Sequence, residues 1–405
     1  MTSAGGCHPA GQPRYDGAEL TCAWTRYRLP LANLFATSHG RLAVREGLLL
    51  RLQWRGLTAY GEAAPVPGFG HTSVGELEAD LERAARALMR ESDPTAFSLA
   101  RPPEPGASAE RQHVPVDASN VQRHEASAPV RAALDIACLD LLAQGRQQPA
   151  AALLAAGFRT KVPVNAVIGL AEAHSAPPAA AAAVARGFSC VKLKVGLCAS
   201  PEEEVERVAA VRAAIGPDIR LRLDANGAWT PALATDVCRR LGPLNIELLE
   251  QPIPAGDVAA LAALRAASPI PIAADESVSG LAQAGQLIAA RAVDVLVIKP
   301  MAVGGPRAGA QIACLAAAAG MRSIVTSSID SGVGILAALH LGAACATPEL
   351  ACGLATAELL ASDLMAEPIP VVEGQMALPA RPGLGFIPSA AALTRYTSGW
   401  HEVQR

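Results

Sequence analysis

Two hydrophobic patterns divide the chain into two parts. From Cys22 to Gly61 apolar and polar residues alternate, with a break at Arg55-Gly56, and this period of two predicts an antiparallel sheet with a turn at the break. Helical periods follow over Val74–Arg90 and Val130–Ala143. The first part of the chain is therefore predicted to fold as a sheet with accompanying helices.

Beyond Lys161 short β-type runs alternate with Ala-rich helical stretches. The eight runs are VPVNAVIG, CVKLKVG, IRLRLDANG, IELLEQPI, PIAADES, VDVLVIKP, RSIVTSSID and ELACGLAT. Such an alternation is typical of a parallel sheet whose strands are joined by crossover helices. Eight repeats predict that this sheet closes into an α/β barrel.

The remaining segments and the composition narrow the class of protein. Residues 1–23 are predicted to form a flexible tail, and the polar, proline-bearing stretch 101–127 a surface insertion. The 34 basic and 37 acidic residues give a net charge of −3, which argues against a nucleic-acid or anionic-membrane partner. Apolar stretches are interrupted within about 18 residues, so no bilayer-spanning segment is expected. Nine scattered cysteines without a CxxC pair, and a start without the order of a signal peptide, predict a cytoplasmic location.

Lysine is scarce in this chain. Of the 34 basic residues only four are lysine, namely Lys161, Lys192, Lys194 and Lys299. Arginine stays protonated in proteins, whereas a lysine can lose its proton when it is buried or crowded, so a site that needs an amine base must retain lysine. Lys192 and Lys194 share one face of a strand. Each is expected to lower the pKa of the other, and a nearby divalent cation to lower both further.

Carboxylates end three of the runs between these lysines. The residues at positions 194, 224, 250, 275 and 299 are separated by 30, 26, 25 and 24 residues, and each step fits one strand-helix unit. All five side chains are expected at the C-terminal mouth of the barrel. Buried together, Asp224, Glu250 and Asp275 would repel one another, and three oxygen ligands that leave positions for water and substrate suit Mg²⁺.

Alternatives stay open at this point. The carboxylates could pair with the lysines alone, without a metal, and the barrel could be a non-catalytic binding or structural module. Asn226 shares the strand face of Asp224 and either orients the site or serves the turn in DANG. Glu276 is expected to point away and to be a supporting or structural carboxylate.

In this order and at this spacing, the motifs resemble those of the enolase superfamily, in its lysine-lysine branch typified by muconate lactonizing enzymes. The motifs are KLK at 192–194, DAN at 224–226, EQP at 250–252, DES at 275–277 and IKP at 298–300. The resemblance extends from about residue 24 to 388. It implies an α/β fold, a modified TIM barrel of type (β/α)7β, covered by an α+β capping domain.

The resemblance also implies how the chain is divided. Residues 24–145 would form the first part of the cap and 146–362 the barrel with its active site. Residues 363–405 would pack on the cap. Loops of the cap near 34–40 and 65–72 would contact substrate.

Implied by the same resemblance are a small-molecule carboxylate substrate and a Mg²⁺ cofactor, for which Mn²⁺ can substitute. A homo-oligomer is compatible with it. The implied metal ligands are Asp224, Glu250 and Asp275. Lys194 would remove the proton α to the carboxylate, Lys299 would stabilise the resulting enediolate as a cation, and Lys192 would help to orient the carboxylate.

Within the branch, several segments look like the o-succinylbenzoate synthases, which dehydrate 2-succinyl-6-hydroxy-2,4-cyclohexadiene-1-carboxylate in menaquinone synthesis. The segments are RLPLANLFATSHG, REGLLLRL, GEAAPVPGFG, TSSIDSGVG and GLATAELLASDLM. Ser327, Ser328 and Gly353 within them are expected to contact substrate or to support the site. Ala302 stands where racemases of the branch carry an arginine, and the segment at Gly353 lacks the Asp-x-Asp of dipeptide epimerases. Dehydration is therefore the preferred expectation, with N-succinylamino acid racemisation, dipeptide epimerisation and cycloisomerisation as alternatives.

Overall fold

The computed structural model describes residues 20–37, 40–65, 69, 73–90, 126–169, 175–196 and 198–404, without the side chains of 33–37, 40 and 41. The predicted tail up to residue 19 and the predicted insertion up to residue 125 lie outside the described residues. So do the side chains of the predicted substrate loop at 34–40 and most of the loop at 65–72.

The elements alternate as the hydrophobic pattern predicts. In chain order the strands are β1 Thr21–Thr37, β2 Gly40–Trp54, β3 Leu57–Ala63, β4 Lys161–Pro163, β5 Ala166–Ile168, β6 Cys190–Lys194, β7 Arg220–Asp224, β8 Ile246–Glu250, β9 Ile272–Ala274, β10 Val295–Ile298, β11 Arg322–Val325, β12 Val371–Val372, β13 Gln375–Ala377 and β14 His401–Glu402. The helices are α1 Val74–Arg90, α2 Ala128–Gly145, α3 Ala176–Ala185, α4 Pro201–Ile215, α5 Pro231–Leu241, α6 Val258–Ala267, α7 Leu281–Ala289, α8 Pro300–Val303, α9 Pro306–Ala318, α10 Gly332–Cys345 and α11 Ala390–Tyr396. Short 3₁₀ turns occupy Ala150–Leu153, Gly242–Leu244 and Ala357–Leu359.

The cap is built on an antiparallel sheet of strand order β14-β1-β2-β3. As predicted, β2 and β3 are joined by a two-residue turn at Arg55 and Gly56, both with positive φ, a turn whose twist matches that of the flanking strands. α1 contributes Leu77, Leu81 and Leu88 to the core beneath this sheet. Burial of this apolar stripe stabilises the helix on the sheet.

Helix α2 is apolar on nearly every side because it lies between two cores. Its residues Ala133 and Leu134 belong to the core of the cap, whereas Ile136 and Leu139 belong to the core of the barrel. Gly61 of β3 permits the close approach of this helix, since a Cβ at that position would lie 1.9 Å from the carbonyl oxygen of Ala133. The shared helix therefore holds the cap against the barrel.

The barrel consists of seven parallel strands, β5 to β11, that follow one another in chain order around a curved sheet. A helix follows each strand, and the short α8 is inserted between β10 and α9. The eighth run closes the ring through single parallel pairs, Cys352 with Val164 and Gly353 with Thr326. The next α-helix begins only at Ala390. The predicted modified TIM barrel of type (β/α)7β is thereby confirmed.

The last part of the chain returns to earlier elements. β12 and β13 pair with β4 in a separate three-stranded sheet. β14 pairs with β1, where the rings of Trp24 and His401 stack with their centroids 4.5 Å apart. Among the described residues, no helix is both long and apolar enough to cross a bilayer.

Candidate active site

The strand ends bring the five predicted side chains to one mouth of the barrel. Lys194, Asp224 and Glu250 lie side by side in register at the ends of β6, β7 and β8. Asp275 follows β9 and Lys299 follows β10, each by one residue. Because the carboxyl ends of parallel strands point the same way, all five lie at the C-terminal mouth. Four of them are buried and Lys299 is nearly so.

Asp224 accepts from both lysines of the KLK motif. Its Oδ2 lies 2.8 Å from Lys192 Nζ and 2.6 Å from Lys194 Nζ. Lys192 Nζ also lies 2.6 Å from Glu250 Oε1. Burial by itself would raise the pKa of Asp224, but the two ammonium groups outweigh it and hold that pKa well below its usual range.

The predicted lowering of the lysine pKa is wrong for Lys192 in this arrangement. Burial lowers the pKa of Lys192, yet Asp224 and Glu250 outweigh burial, so the pKa lies above its ordinary value. Asp275 likewise outweighs burial and raises the pKa of Lys299. The reason is that each of these ammonium groups faces carboxylates at hydrogen-bonding distance, which favour its charged form.

The carboxylates have the chemistry of ligands for a hard cation. Burial, and then the neighbouring Asp224, raise the pKa of Glu250 to about 8, and burial also raises the pKa of Asp275. Lys299 Nζ donates to Asp275 Oδ2 over 2.6 Å, but the buried Asp275 Oδ1 has no hydrogen-bond partner among the described residues. Among the described residues no group of three His, Cys, Asp or Glu side chains is arranged to hold a metal ion as it stands. The strand-end carboxylates are instead paired with lysines. Three buried carboxylates with one unpartnered oxygen still fit Mg²⁺, which prefers oxygen ligands.

Asn226 orients Lys194 as well as serving its turn. Lys194 Nζ donates to Asn226 Oδ1 over 2.7 Å, and Asn226 Nδ2 donates to Glu276 Oε1 over 2.9 Å. Glu276 therefore supports the site through Asn226. Asn226 has a positive φ of 44°, a conformation that asparagine adopts more readily than most residues.

Gln251 is a supporting residue that the sequence analysis missed. Its Oε1 accepts from the backbone N–H groups of Asp275 and Ser277 over 3.0 and 3.2 Å. Its Nε2 donates to Ser277 Oγ over 2.9 Å and to the Ile253 carbonyl over 2.8 Å. These bonds fix the backbone of Asp275. The clue lay in the EQP motif, because a buried glutamine after a strand needs a partner for each polar atom.

Two buried residues of α4 hold the backbone around Lys194, and they too were missed. Arg207 Nη2 donates to the Lys194 carbonyl over 2.9 Å, and Glu204 Oε2 accepts from the Gly196 N–H over 2.7 Å. Glu204 and Arg207 also pair with each other at 2.8 Å. The helical pattern places both residues on the inner face of α4, but only the structure shows that they hydrogen-bond to the backbone at the end of β6.

Ser327, Ser328 and Gly353 lie at the ends of the seventh and eighth runs, where their described contacts are structural. Ser327 Oγ lies 2.6 Å from Thr356 Oγ1, and the Ser327 N–H donates to the Gly353 carbonyl over 3.1 Å. A Cβ on Gly353 would lie 2.4 Å from Thr326 Oγ1, so a glycine is needed for closure of the barrel. A substrate contact by these three residues stays a prediction.

The cap reaches the strand ends through Phe69. The centroid of its ring lies 5.0 Å from Lys299 Nζ, a distance at which a ring face attracts a cation. Phe69 is thus the described residue of the loop at 65–72 that contacts the barrel mouth.

Known proteins resemble both parts of this chain. A family model described as Enolase C-terminal domain-like matches residues 176–392, and one described as MenC, N-terminal domain, matches residues 21–102. An o-succinylbenzoate synthase of Desulfotalea psychrophila is 31% identical over 86% of this chain and 96% of its own length. A hydrophobic dipeptide epimerase of Enterococcus faecalis is 32% identical over 78% of this chain and 84% of its own length. The solved structure of N-succinyl Arg/Lys racemase from Bacillus cereus superposes with a TM-score of 0.81 and 25% identity, over 96% of this chain and 100% of that chain.

The first family model alone covers more than half of the chain, and the synthase aligns along cap and barrel together. The architecture agrees with this, since a (β/α)7β barrel carries an α+β cap and the motif residues meet at its C-terminal mouth. The chain therefore belongs to the enolase superfamily, in the branch typified by muconate lactonizing enzymes.

Proposed function

We propose that this protein is a Mg²⁺-dependent o-succinylbenzoate synthase. The observation that carries the proposal is the position of the lysines: Lys194 lies on the second barrel strand and Lys299 after the sixth. Four places apart in a ring of eight, they face each other across the mouth, with three carboxylates on the strands between them. This arrangement supports removal of a proton next to a carboxylate.

Two similarities to known proteins favour dehydration over the other reactions of the branch. The N-terminal part of the chain is similar to the MenC N-terminal domain, and the synthase of Desulfotalea psychrophila aligns over nearly its whole length. The substrate would be 2-succinyl-6-hydroxy-2,4-cyclohexadiene-1-carboxylate. Its dehydration yields an aromatic ring, which makes the step thermodynamically favourable.

Mg²⁺ would be held by the three strand-end carboxylates. These are Asp224, Glu250 and Asp275. When bound, Mg²⁺ supplies positive charge that stabilises the negative charge developing on the substrate carboxylate. Lys192, which lies between two of these side chains at 2.8 and 2.6 Å, would help to orient that carboxylate.

Lys194 would act twice in the reaction. Its neutral Nζ takes the proton from the carbon α to the carboxylate, and the electron pair of the broken C–H bond passes to the carboxylate. That pair then returns into the ring as the C–O bond breaks. The departing hydroxide takes the proton from Lys194 Nζ and leaves as water, a syn elimination. Lys299 stays protonated and stabilises the anion from the opposite side.

N-succinylamino acid racemisation is the second candidate. Lysines on opposite sides of the mouth suit removal of a proton from one face and its return to the other, and the racemase structure from Bacillus cereus shares this fold. Ala302, buried on α8, offers no charge to a substrate, and this counts against racemisation.

The test is a side-by-side assay of the purified protein with Mg²⁺ on the cyclohexadiene substrate, N-succinyl amino acids and dipeptides. We expect kcat/KM to be highest for dehydration. Asp224→Asn serves as the control that ties turnover to this site. A higher kcat/KM for either alternative would overturn the synthase assignment but leave the proposed proton abstraction in place.

A further inference from the structure

Three of the segments that resemble the synthases meet in a buried cluster between cap and barrel. Glu62 lies on β3, Arg45 on β2, and Asp330 and Ser331 between β11 and α10. None of the four is more than 3% exposed. Charged side chains so deeply buried must be paired, so their partners reveal their role. We call Glu62, Arg45, Asp330 and Ser331 the cap lock.

Glu62 caps a barrel helix from the capping domain. Its Oε1 accepts from Tyr27 Oη and from the Ser331 N–H over 3.0 Å. Its Oε2 accepts from Ser331 Oγ over 2.6 Å and from the Gly334 N–H over 2.9 Å. These backbone groups belong to the first turn of α10, which lacks partners within its own helix and attracts negative charge.

Two glycines make room for this carboxylate and its partner. A Cβ on Gly334 would lie 2.8 Å from Glu62 Oε2, and a Cβ on Gly47 would lie 2.6 Å from Tyr27 Oη. Neither approach is tolerable for a larger residue unless Glu62 or Tyr27 moves. The packing therefore holds Glu62 in one place.

Arg45 extends the lock toward the barrel mouth. It donates to the carbonyl of Pro65, where the cap loop that carries Phe69 begins, and its Nη2 lies 3.4 Å from Asp330 Oδ1. Asp330 Oδ2 in turn accepts from the backbone N–H of Ser328 over 3.1 Å. One connected set of contacts thus joins the cap loop to the end of the seventh strand.

We infer that Glu62 is a positioning residue, which fixes Pro65 of the cap and the end of the seventh strand relative to each other at the barrel mouth. It acts through Ser331, whose neighbour Asp330 pairs with Arg45 and accepts from the backbone N–H of Ser328. The inference rests on the proposed function wherever turnover is its measure.

Glu62→Gln tests the inference, because glutamine has only one oxygen. The Ser331 and Gly334 N–H groups bond to different oxygens of Glu62, so either orientation of the amide places an NH₂ group against a backbone N–H. Glu78→Gln is the matched control, since Glu78 lies on α1 of the cap and pairs with Arg26 at the surface. Misplacement of reacting groups by about 1 Å lowers the rate of an enzyme about 10²-fold. The kcat of Glu62→Gln should therefore fall by about that factor.

Two further measurements separate positioning from damage to the fold. Titration with Mg²⁺ alone should give the wild-type affinity, because the proposed ligands all lie at the ends of barrel strands. Amide hydrogen exchange should become faster in peptides that cover 60–65 and 328–334, and Glu78→Gln should change none of these quantities. A kcat within twofold of wild type would overturn the inference, as would unchanged exchange.

The outcomes remain distinct if the proposed function fails. Wild-type protein that turns over none of the three substrates would refute that function, and unchanged exchange in Glu62→Gln would then by itself refute the lock. If Glu62→Gln does not fold, Tyr27→Phe removes one of the four donors and keeps the carboxylate. A loss of kcat of about 2- to 10-fold is then expected, which corresponds to the free energy of one hydrogen bond. An unchanged kcat would overturn the inference.

Discussion

The proposed base, Lys194, must be an amine that can release its proton, whereas almost everywhere else in this chain arginine carries the positive charge. An arginine there would keep the charge that faces Asp224 but could not accept a proton. Lys194→Arg is therefore expected to retain the fold and to lose kcat by about 10²- to 10⁴-fold.

Steady-state kinetics with circular dichroism checks this expectation. Lys161→Arg is the matched control, because Lys161 is exposed on β4 and should tolerate the exchange at full activity. A near-normal rate for Lys194→Arg would remove Lys194 from the role of the base.

His340 is a second residue whose surroundings dictate its protonation. Its Nδ1 accepts from the Ala151 N–H over 3.1 Å, so its Nε2 carries the proton and donates to the Leu384 carbonyl over 3.2 Å. Burial lowers the pKa of His340 to about 4. In the unfolded chain histidine has a pKa of about 6.5 and so takes up its proton at a higher pH than the folded protein does.

The free energy of unfolding should therefore contain a contribution from His340 that is complete above pH 6.5 and declines as the pH falls toward 4. The slope approaches roughly 1.4 kcal/mol per pH unit within that window. His340→Gln keeps both hydrogen bonds in principle and cannot titrate. Urea unfolding of both proteins at pH 7.5, 6.0 and 5.0 should show a difference that moves in favour of the variant as the pH falls. A difference independent of pH would contradict the buried neutral histidine.

At the scale of elements, the barrel strands and their order could be predicted because each is a short apolar run between two helical stretches. The run CVKLKVG, for example, becomes β6 at Cys190–Lys194. The eighth run is different, since it contributes only single pairs at Cys352 and Gly353. The pairing of Gly353 depends on Thr326 in another part of the chain, and no local pattern encodes such a distant partner.

The same distinction holds for the site. Alternation along a strand places Lys192 and Lys194 on one face, so their location was predictable from the sequence. The pairing of each ammonium group with a carboxylate depends on the register between strands and on burial. For that reason the expected lowering of the pKa was wrong for Lys192. Glu62 illustrates the limit most clearly, because its partner Ser331 lies 269 residues away.

For the whole molecule, the two parts of the chain have different tasks. The strand ends of the barrel carry the candidate catalytic groups, and the cap, to which both β1 and β14 belong, contacts Lys299 among them through Phe69. Because Asp224, Glu250 and Asp275 all lie at the ends of barrel strands, binding of a metal should stabilise the barrel without any contribution from the cap. This expectation applies to the protein before any substrate is added.

Mg²⁺ is accordingly expected to raise the melting temperature of the wild-type protein. A ligand that binds only the folded state adds about 2.7 kcal/mol at a hundred times its dissociation constant, which for a chain of this size is a shift of a few degrees. Asp275→Asn should lose the shift, whereas Asp236→Asn, a change on the outer surface of α5, should keep it.

Alanine at position 224, 250 or 275 should abolish turnover in a folded protein, because the anionic intermediate loses its counter-charge. Thermal melts with and without EDTA measure the first effect, and activity retained in EDTA would refute the proposed metal site.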